Sequence, residues 1–196
     1  MNNREFFNSV ASKWDSMVKH DEGKIRNILD MLHIKEGQKV LDVGTGTGVM
    51  VPFLHSLVGN AGKIVAVDIS EKMIEIARGK FEFDNVDFIV GDVLEIKLPE
   101  NEYDLIMCYS MFPHFDNQKN AVNKLSRHLK KGGKLAICHS QSRNAINSLH
   151  AASSDAVKND RLPPADCISD YYKSAGLETV ITVDNEEMFV VVGQKA

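Results

Sequence analysis

The stretch Lys39-Val40-Leu41-Asp42-Val43-Gly44-Thr45-Gly46-Thr47-Gly48 decides the fold of this 196-residue chain. Residues 40–43 are an apolar run with one acid, which suits a strand buried on both faces of a parallel sheet. The alternating glycines suit a tight turn, because without a Cβ the backbone can come close to a ligand. Residues 49–54 predict the first turns of a helix, with Thr47 as its N-cap and Pro52 in its first turn. Strand, turn and helix N-terminus together predict a site for a polar ligand at the carboxyl edge of a sheet.

The pattern Asp42-x-Gly44-x-Gly46-x-Gly48 resembles motif I of the class I methyltransferases that use S-adenosylmethionine, in which an acid precedes three alternating glycines. The rival interpretation is the dinucleotide fingerprint G-x-G-x-x-G. Counted from Gly44, that fingerprint requires a small residue at position 49, where this chain has Val49. A purely structural loop would also account for the glycines, so the interpretation depends on the rest of the chain.

The composition is that of one soluble α/β domain, with 43% hydrophobic and 26% charged residues. A net charge of −4 gives no general attraction to nucleic acid or to an anionic membrane. Cys108, Cys138 and Cys167 lie far apart, which favours a reduced protein over a disulfide framework or a thiolate zinc site. No apolar signal region and no stretch long enough to span a bilayer is present, so we expect a cytoplasmic protein.

Seven strands are predicted, and the first two each contain or end in an acid. Twenty residues separate Gly48 from Asp68 (68 − 48 = 20), which leaves room for one crossover helix. Near the C-terminus the polar turn at residues 184–187 is too short for a crossover, so it joins an antiparallel pair. The predicted fold is therefore α/β, a Rossmann-like three-layer sandwich with a mostly parallel seven-stranded sheet and a C-terminal antiparallel hairpin; in the family that the chain resembles, one reversed strand lies at the sheet edge. The predicted strands are residues 40–43, 63–68, 86–90, 103–110, 134–139, 178–183 and 188–193, within one domain over residues 1–196.

The resemblance implies a cofactor edge that holds S-adenosylmethionine and releases S-adenosylhomocysteine. Asp68 can accept hydrogen bonds from both ribose hydroxyls, as an acid does in dinucleotide folds. Asp92 belongs to a Gly-Asp pair whose acid faces the adenine amino group in the family, while Ile69 and Met73 are placed to cover the adenine. Ser70 is the predicted N-cap of the helix that follows. The full predicted cofactor set is Asp42, Gly44, Thr45, Gly46, Gly48, Asp68, Ile69, Met73, Asp92, Val93 and Tyr109.

Two segments are expected to build the acceptor side. Residues 1–36 form a predicted N-terminal helical lid, since residues 4–19 carry one apolar stripe at helical spacing; a plain packing helix is the alternative. Residues 7–15 resemble the N-terminal segment of small-molecule methyltransferases related to the quinone-biosynthesis enzymes, in which a Tyr stands at the position of Trp14. Residues 141–164 form a predicted substrate-side insertion with a helix over residues 142–157. The predicted substrate residues are Trp14, His20, Arg143 and His150.

Histidines near the predicted crevice are the candidates for catalysis. His114 follows the fourth strand and His139 ends the fifth, so either can deprotonate an O, N or S acceptor near neutral pH. The alternatives are structural histidines, or a metal held by His114, His139 and His150 with His20. Their spacing matches no recognised metal motif, so no metal is predicted.

The methyl acceptor is expected to be a small organic molecule. Cys108-Tyr109-Ser110-Met111 stands where amino-group methylases keep Asn-Pro-Pro-Tyr or Asp-Pro-Pro-Tyr, and no Pro-Cys pair for cytosine carbon-5 is present. We therefore predict methyl transfer from S-adenosylmethionine to a small molecule, without nucleic-acid or membrane partners. The alternatives are a nicotinamide-dependent oxidoreductase on a similar sheet and a non-catalytic S-adenosylmethionine-binding module. The sequence does not indicate the oligomeric state.

Overall fold

The computed structural model describes residues 2–196; Met1, the first residue of the predicted lid and domain, lies outside them. No helix within the described residues has the length and apolar character needed to cross a lipid bilayer. The strands are β1 Lys39–Val43, β2 Lys63–Asp68, β3 Val86–Val90, β4 Tyr103–Tyr109, β5 Leu129–His139, β6 Leu177–Asp184 and β7 Phe189–Lys195. The α-helices are α1 Asn3–Val10, α2 Trp14–Met17, α3 Glu22–Leu32, α4 Val51–Val58, α5 Glu71–Lys80, α6 Gln118–His128, α7 Arg143–Ala151 and α8 Ala165–Ser174.

Residues 2–196 form one seven-stranded sheet with the strand order β3-β2-β1-β4-β5-β7-β6. Strands β1 to β5 are parallel, and β7 is antiparallel to both of its neighbours. The predicted fold class is confirmed. The chain runs outward from β1 to β3 on one side and from β4 on the other, so the strand order reverses between β1 and β4. In an open α/β sheet such a switch point places a crevice at the carboxyl ends of the strands.

The reversed strand was expected at the edge of the sheet, and that expectation is wrong. Strand β7 is the reversed strand, and it lies between β5 and β6. Helix α8 is a crossover that brings β6 back parallel to β5, and the short turn after Asp184 then returns β7 into the gap. The side chain of Asn185 closes that turn by accepting hydrogen bonds from the backbone N–H of Glu187 (2.8 Å) and Met188 (2.9 Å).

The apolar strands are buried on both faces because helices cover the sheet on both sides. Leu41 and Ile106 belong to a cluster with buried residues of α6 and α8. Val40 and Met107 belong to a second cluster with buried residues of α3 and α4. Successive strand residues point to opposite faces, so an uninterrupted apolar run fills both layers of the core.

Four features of the helices can be compared with the prediction: one N-cap is confirmed, and the other three features differ. Helix α4 begins at Val51, with Pro52 in its first turn, and Thr47 is not its N-cap because Gly48 adopts φ +86° between them. The N-cap at Ser70 is confirmed, since its hydroxyl accepts from the N–H of Met73. The predicted helix over residues 142–157 ends at Ala151, before Ser153 and Ser154, a residue type with a lower helix propensity than alanine. The predicted helix over residues 4–19 is divided by a 3₁₀ turn, Ala11–Lys13.

Candidate functional site

A cleft of about 660 Å³ opens at the carboxyl ends of β1, β2 and β4, at the switch point of the sheet. One wall consists of the glycine turn after β1 and the strand ends of β2 and β3. The facing wall consists of the N-terminal segment, the segment after β4 and the loop after α7. The volume lies within the range of about 300–1,000 Å³ that is usual for small-ligand sites.

The glycine turn is fastened to β2 by backbone hydrogen bonds. The N–H groups of Gly44 and Thr45 donate to the carbonyl of Val67 at 2.8 and 3.0 Å. Gly44 adopts φ +67°, and a Cβ there would lie 2.7 Å from the side chain of Met111. At Gly46, with φ +57°, the nearest atom to an added Cβ is Trp14 Nε1, 3.9 Å away. At Gly44 the atom that comes close to the backbone belongs to the Met111 side chain, not to a ligand. At Gly46 the space beside the backbone is open to the cleft.

Asp68 couples the turn to the next helix. Its Oδ2 accepts from the N–H of Gly46 (2.8 Å) and its Oδ1 accepts from the N–H of Ser70 (2.8 Å). The residue is 8% exposed and lines the cleft. Burial raises the pKa of Asp68, and the backbone hydrogen bonds act against that rise. Each carboxylate oxygen has a further lone pair, so the group can still accept hydrogen bonds from a ligand.

Asp42 lies beneath the turn and does not line the cleft. It is 1% exposed, and burial raises its pKa to about 7. Its Oδ2 and the Oγ1 of Thr45 are buried without a hydrogen-bond partner among residues 2–196. Thr45 does line the cleft, and its side chain acts against the rise in the pKa of Asp42, so the two residues interact behind the turn.

The N-terminal segment lies across the opening of the cleft and is attached through polar contacts. Asn8 accepts from the hydroxyl of Ser70 (2.7 Å) and donates to Glu71 (2.8 Å), at the start of α5. Asp15 accepts from the hydroxyl of Thr47 (2.6 Å) and forms an ion pair with Lys80 at the end of α5. The segment is therefore fastened at both ends of the same helix.

Aromatic and polar side chains of this segment enter the cleft. The rings of Phe7 and Trp14 pack edge to face at 5.6 Å, and both line the cleft. His20 Nδ1 lies 3.1 Å from the hydroxyl of Tyr109, which in turn lies 2.8 Å from the hydroxyl of Ser140. Burial raises the pKa of Tyr109 to about 12, so the phenol keeps its proton at neutral pH.

Strand β4 ends in a sharp change of direction. Ser110 adopts a left-handed conformation (φ 54°), which non-glycine residues rarely do, and its N–H donates to the carbonyl of Cys138 at 2.9 Å. The chain then crosses the cleft through Met111 and His114. His114 Nδ1 lies 2.6 Å from Asp160 Oδ2, in the loop after α7. Both side chains line the cleft.

The structure brings most of the predicted site residues to the cleft. Nine of the predicted cofactor residues line it, and so do Trp14, His20 and His114 from the predicted substrate and catalytic sets. The predicted cofactor residues at the cleft are Gly44, Thr45, Gly46, Asp68, Ile69, Met73, Asp92, Val93 and Tyr109.

The remaining predicted residues do not line the cleft. Gly48 faces Phe81, since a Cβ there would lie 2.8 Å from that ring. His139 is 1% exposed, has no partner for either ring nitrogen among residues 2–196, and burial lowers its pKa to about 3. Arg143 donates to Asp184 at 2.9 Å. His150 Nδ1 lies 3.2 Å from the carbonyl of Asp160. The polar face of α7 thus contacts β6 and the following loop.

Sequence reasoning missed several residues that line the cleft, and two of them contact His114. Asp160 lies in a loop without a motif, and Asn3 donates to the carbonyl of His114 (3.1 Å) from α1. Neither position carries a signal that a single sequence reveals, because each acquires its role from a partner far away in the chain. Among residues 2–196, no three His, Cys, Asp or Glu side chains are grouped as a metal site requires.

The cleft fits S-adenosylmethionine in charge and in hydrogen-bonding groups. The cofactor carries a positive sulfonium and a ribose with two hydroxyls, whereas the cleft offers carboxylates from both walls. Arg4 also lines the cleft, but its charge is compensated by an ion pair with Glu71. The carboxylates at the cleft are Asp68, Asp92, Asp116 and Asp160.

Comparison with known proteins agrees with this geometry. Residues 34–184 match the family described as Methyltransferase domain. The chain is 29% identical over 154 residues to the ubiquinone/menaquinone biosynthesis C-methyltransferase UbiE of Pseudomonas fluorescens, which covers 74% of this chain and 60% of the relative. It is 36% identical over 133 residues to the malonyl-[acyl-carrier protein] O-methyltransferase of Acetivibrio thermocellus, which covers 67% of this chain and 46% of the relative.

A solved structure shares the fold over nearly the whole chain. The SAM-dependent methyltransferase of Aquifex aeolicus superposes with a TM-score of 0.76 at 24% identity, covering 95% of this chain and 98% of that one. This chain spans only about half to three fifths of the length of the two curated relatives. Three findings agree: the family match over residues 34–184, the UbiE-type relatives and the complete motif at the switch point. The chain therefore belongs to the class I S-adenosylmethionine-dependent methyltransferases, and its relatives include those of the UbiE type.

Proposed function

We propose that this protein transfers a methyl group from S-adenosylmethionine to a small-molecule acceptor inside the cleft, in the cytoplasm. The observation that carries the proposal is that Asp68, which fastens the glycine turn, lines the same cleft as His114 on the facing wall. One relative is named for ubiquinone/menaquinone biosynthesis and another for malonyl-[acyl-carrier protein], which supports an organic acceptor. The three cysteines are free thiols, as a reducing compartment requires.

The wall built by β1, β2 and β3 is the proposed cofactor side. Asp68 accepts hydrogen bonds from the ribose hydroxyls, and Asp92 accepts from the adenine amino group. Ile69 and Met73 flank the adenine, and the open backbone at Gly46 allows the cofactor to approach. When bound, S-adenosylmethionine supplies an activated methyl group on a positively charged sulfur. The other proposed contacts come from Thr45, Val93, Tyr109 and the motif residues Asp42, Gly44 and Gly48, of which Asp42 and Gly48 act from behind the turn.

The facing wall is the proposed acceptor side. Residues 1–36 act as a lid that places Trp14 and His20 beside the acceptor, and residues 141–164 act as the substrate-side insertion. Arg143 and His150, proposed as substrate residues, hold that insertion in place through their contacts with β6 and the loop. Holding an acceptor atom about 3 Å from the methyl carbon and away from water lowers the barrier by several kcal/mol.

Two histidines are proposed for catalysis, and the structure supports them unequally. His114 lines the cleft and is accessible to an acceptor. His139 is buried and does not line the cleft. Because burial lowers the pKa of His139 to about 3, its imidazole stays neutral at physiological pH. His139 therefore acts through the packing of its neighbours, whereas His114 is placed to contact the acceptor.

Calorimetric titration with S-adenosylmethionine and S-adenosylhomocysteine tests the cofactor side. We expect both to bind, and absence of binding by either at millimolar concentration would refute the proposal. Transfer of a radiolabelled methyl group to a panel of phenols, thiols and amines then tests the acceptor side. Tight cofactor binding together with no transfer to any acceptor would favour a non-catalytic binding module.

A further inference from the structure

The contact between His114 and Asp160 is the closest pairing of two titratable side chains on the acceptor wall. Nδ1 and Oδ2 are 2.6 Å apart, which is the short distance of a charge-assisted hydrogen bond. The side chains are only 15% and 19% exposed, so the contact is largely shielded from solvent. The two residues are 46 positions apart in the sequence.

Both partners are held in position by other elements. The carbonyl of His114 accepts from the side chain of Asn3, and the Phe7 ring packs edge to face against the imidazole at 5.0 Å. The carbonyl of Asp160 lies 3.2 Å from His150 Nδ1 and accepts from Arg161. The pair therefore joins the N-terminal segment, the segment after β4 and the loop after α7.

The carboxylate determines which ring nitrogen carries the proton. An ionised Asp160 accepts but cannot donate, so neutral His114 holds its proton on Nδ1. Nε2 is then the nitrogen with a free lone pair, and it has no hydrogen-bond partner among residues 2–196. This is the arrangement by which an aspartate orients a histidine as a general base in hydrolases.

We propose that His114 is the general base of the methyl transfer, that Asp160 is its positioning residue, and that the acceptor is therefore a molecule that loses a proton, such as a phenol, a thiol or an acidic carbon. The proposal rests on the function proposed above. One proton leaves the acceptor and binds Nε2, and the electron pair left on the acceptor forms the bond to the methyl carbon. The bond between that carbon and sulfur breaks at the same time, its electron pair stays on the sulfur, and neutral S-adenosylhomocysteine leaves. The charge balances, because the imidazolium gains the positive charge that the methyl donor loses, and Asp160 stabilises that imidazolium.

The charged and titratable groups around His114 come from four further elements. Asp160 faces it from the loop after α7 and His150 from α7 itself, with the ring centroids of the two histidines 5.1 Å apart. His139 on β5 and Asp68 on β2 interact with it over longer distances. Helix α1 contacts His114 through the uncharged groups of Asn3 and Phe7, and its Arg4, which also lines the cleft, pairs with Glu71.

The ¹⁵N NMR spectrum of the histidine rings, recorded with S-adenosylhomocysteine bound, tests the pairing without activity. At pH 8 we expect the proton of His114 on Nδ1, with the signal assigned by its loss in His114→Gln. Asp160→Asn should move the proton to Nε2, because the amide can donate to Nδ1. Asp155→Asn is the matched control, since that carboxylate lies in the same loop but is 94% exposed. A wild-type His114 with its proton on Nε2 would overturn the proposal.

Initial rates with two kinds of acceptor test the chemistry. On a phenol or thiol taken from the acceptor panel, Asp160→Asn and His114→Gln should lower kcat roughly 100-fold or more, with Kd for S-adenosylhomocysteine changed less than twofold. On dimethyl selenide, which has no proton to lose, the same variants should change the rate less than threefold. Equal losses on both acceptors would overturn the role of the pair. Failure of S-adenosylhomocysteine to bind the wild type would refute the proposed function instead, independently of the tautomer.

Discussion

Replacing Asp68 with alanine removes the carboxylate that joins the glycine turn to the cofactor side of the cleft. The structure gives this carboxylate two backbone donors, Gly46 at 2.8 Å and Ser70 at 2.8 Å, and leaves further lone pairs for a ligand. Hydrogen bonds to a charged acceptor contribute more than neutral ones, so we expect a loss of about 1–3 kcal/mol in binding free energy. That loss corresponds to a roughly 5- to 150-fold weaker Kd for S-adenosylhomocysteine.

The assay is isothermal titration of wild type and variants with S-adenosylhomocysteine. Asp68→Asn should show an intermediate loss, because the amide keeps one acceptor oxygen. Asp87→Asn is the matched control: this carboxylate lies on the neighbouring strand, is half exposed and pairs with Lys63 away from the cleft. Its Kd should equal that of the wild type.

Thermal unfolding separates a binding defect from a folding defect. The N–H groups of Gly46 and Ser70 both lose their acceptor in Asp68→Ala. Gly46 lines the cleft, where water can replace the lost oxygen, whereas Ser70 is buried and its N–H stays unsatisfied. We therefore expect the free energy of unfolding to fall by about 1–3 kcal/mol. An Asp68→Ala protein that folds and binds with unchanged Kd would refute the assignment of this acid to the cofactor.

Three further outcomes follow from particular contacts. Gly44→Ala should destabilise the protein by about 2 kcal/mol or more and weaken cofactor binding, because it combines a left-handed backbone with a 2.7 Å approach to Met111. His139→Phe should flatten the pH dependence of stability. The pKa of His139 is about 3 in the folded state, below its unfolded value of 6.5, so the unfolded chain binds one more proton between these values. The contribution of neutral His139 to the free energy of unfolding is therefore fully present above about pH 6.5. It is lost, at up to about 1.4 kcal/mol per pH unit, as the pH falls towards 3. Asp15→Asn should accelerate hydrogen exchange in the N-terminal segment a few-fold, since a half-exposed ion pair contributes less than about 1 kcal/mol.

Each of these outcomes has its own control. Gly132→Ala has the same backbone strain (φ +77°) with nothing within 4 Å of the added Cβ, so it should cost less than Gly44→Ala, and equal costs would contradict the role of the close contact. Chemical denaturation of wild type and His139→Phe at pH 7 and pH 5 measures how the free energy of unfolding changes with pH. The same change in both proteins would show that His139 takes up a proton as readily in the folded state as in the unfolded chain, which would contradict the reasoning. Unchanged exchange in Asp15→Asn would mean that other contacts fasten the segment.

The strand ends were predictable because local sequence and backbone chemistry act together there. A buried strand, a glycine turn and a second strand ending in Asp68 leave few ways to arrange the chain, since a parallel sheet requires crossovers and a short turn requires a hairpin. The N-cap at Ser70 follows from the same local rules. Positions of this kind need no knowledge of distant residues.

The contacts within the proposed acceptor wall, which consists of the N-terminal segment, the segment after β4 and the loop after α7, were not predictable in the same way. His114 was a candidate from its place after β4, but Asp160 gained its role only when the loop after α7 folded back across 46 residues of chain. His139 had an equally good place at a strand end, yet its ring points into the interior, where burial keeps it neutral. Which of two similar histidines meets the cleft depends on packing between elements.

The sequence by itself determined the mostly parallel sheet and the acids that stand at the carboxyl ends of the strands, because strand periodicity and turn chemistry are local properties of the chain. Only the tertiary structure decided where β7 inserts, which histidine lines the cleft and which carboxylate that histidine contacts. Those choices depend on contacts between segments far apart in sequence, and a single side chain carries no record of the partner that it will meet.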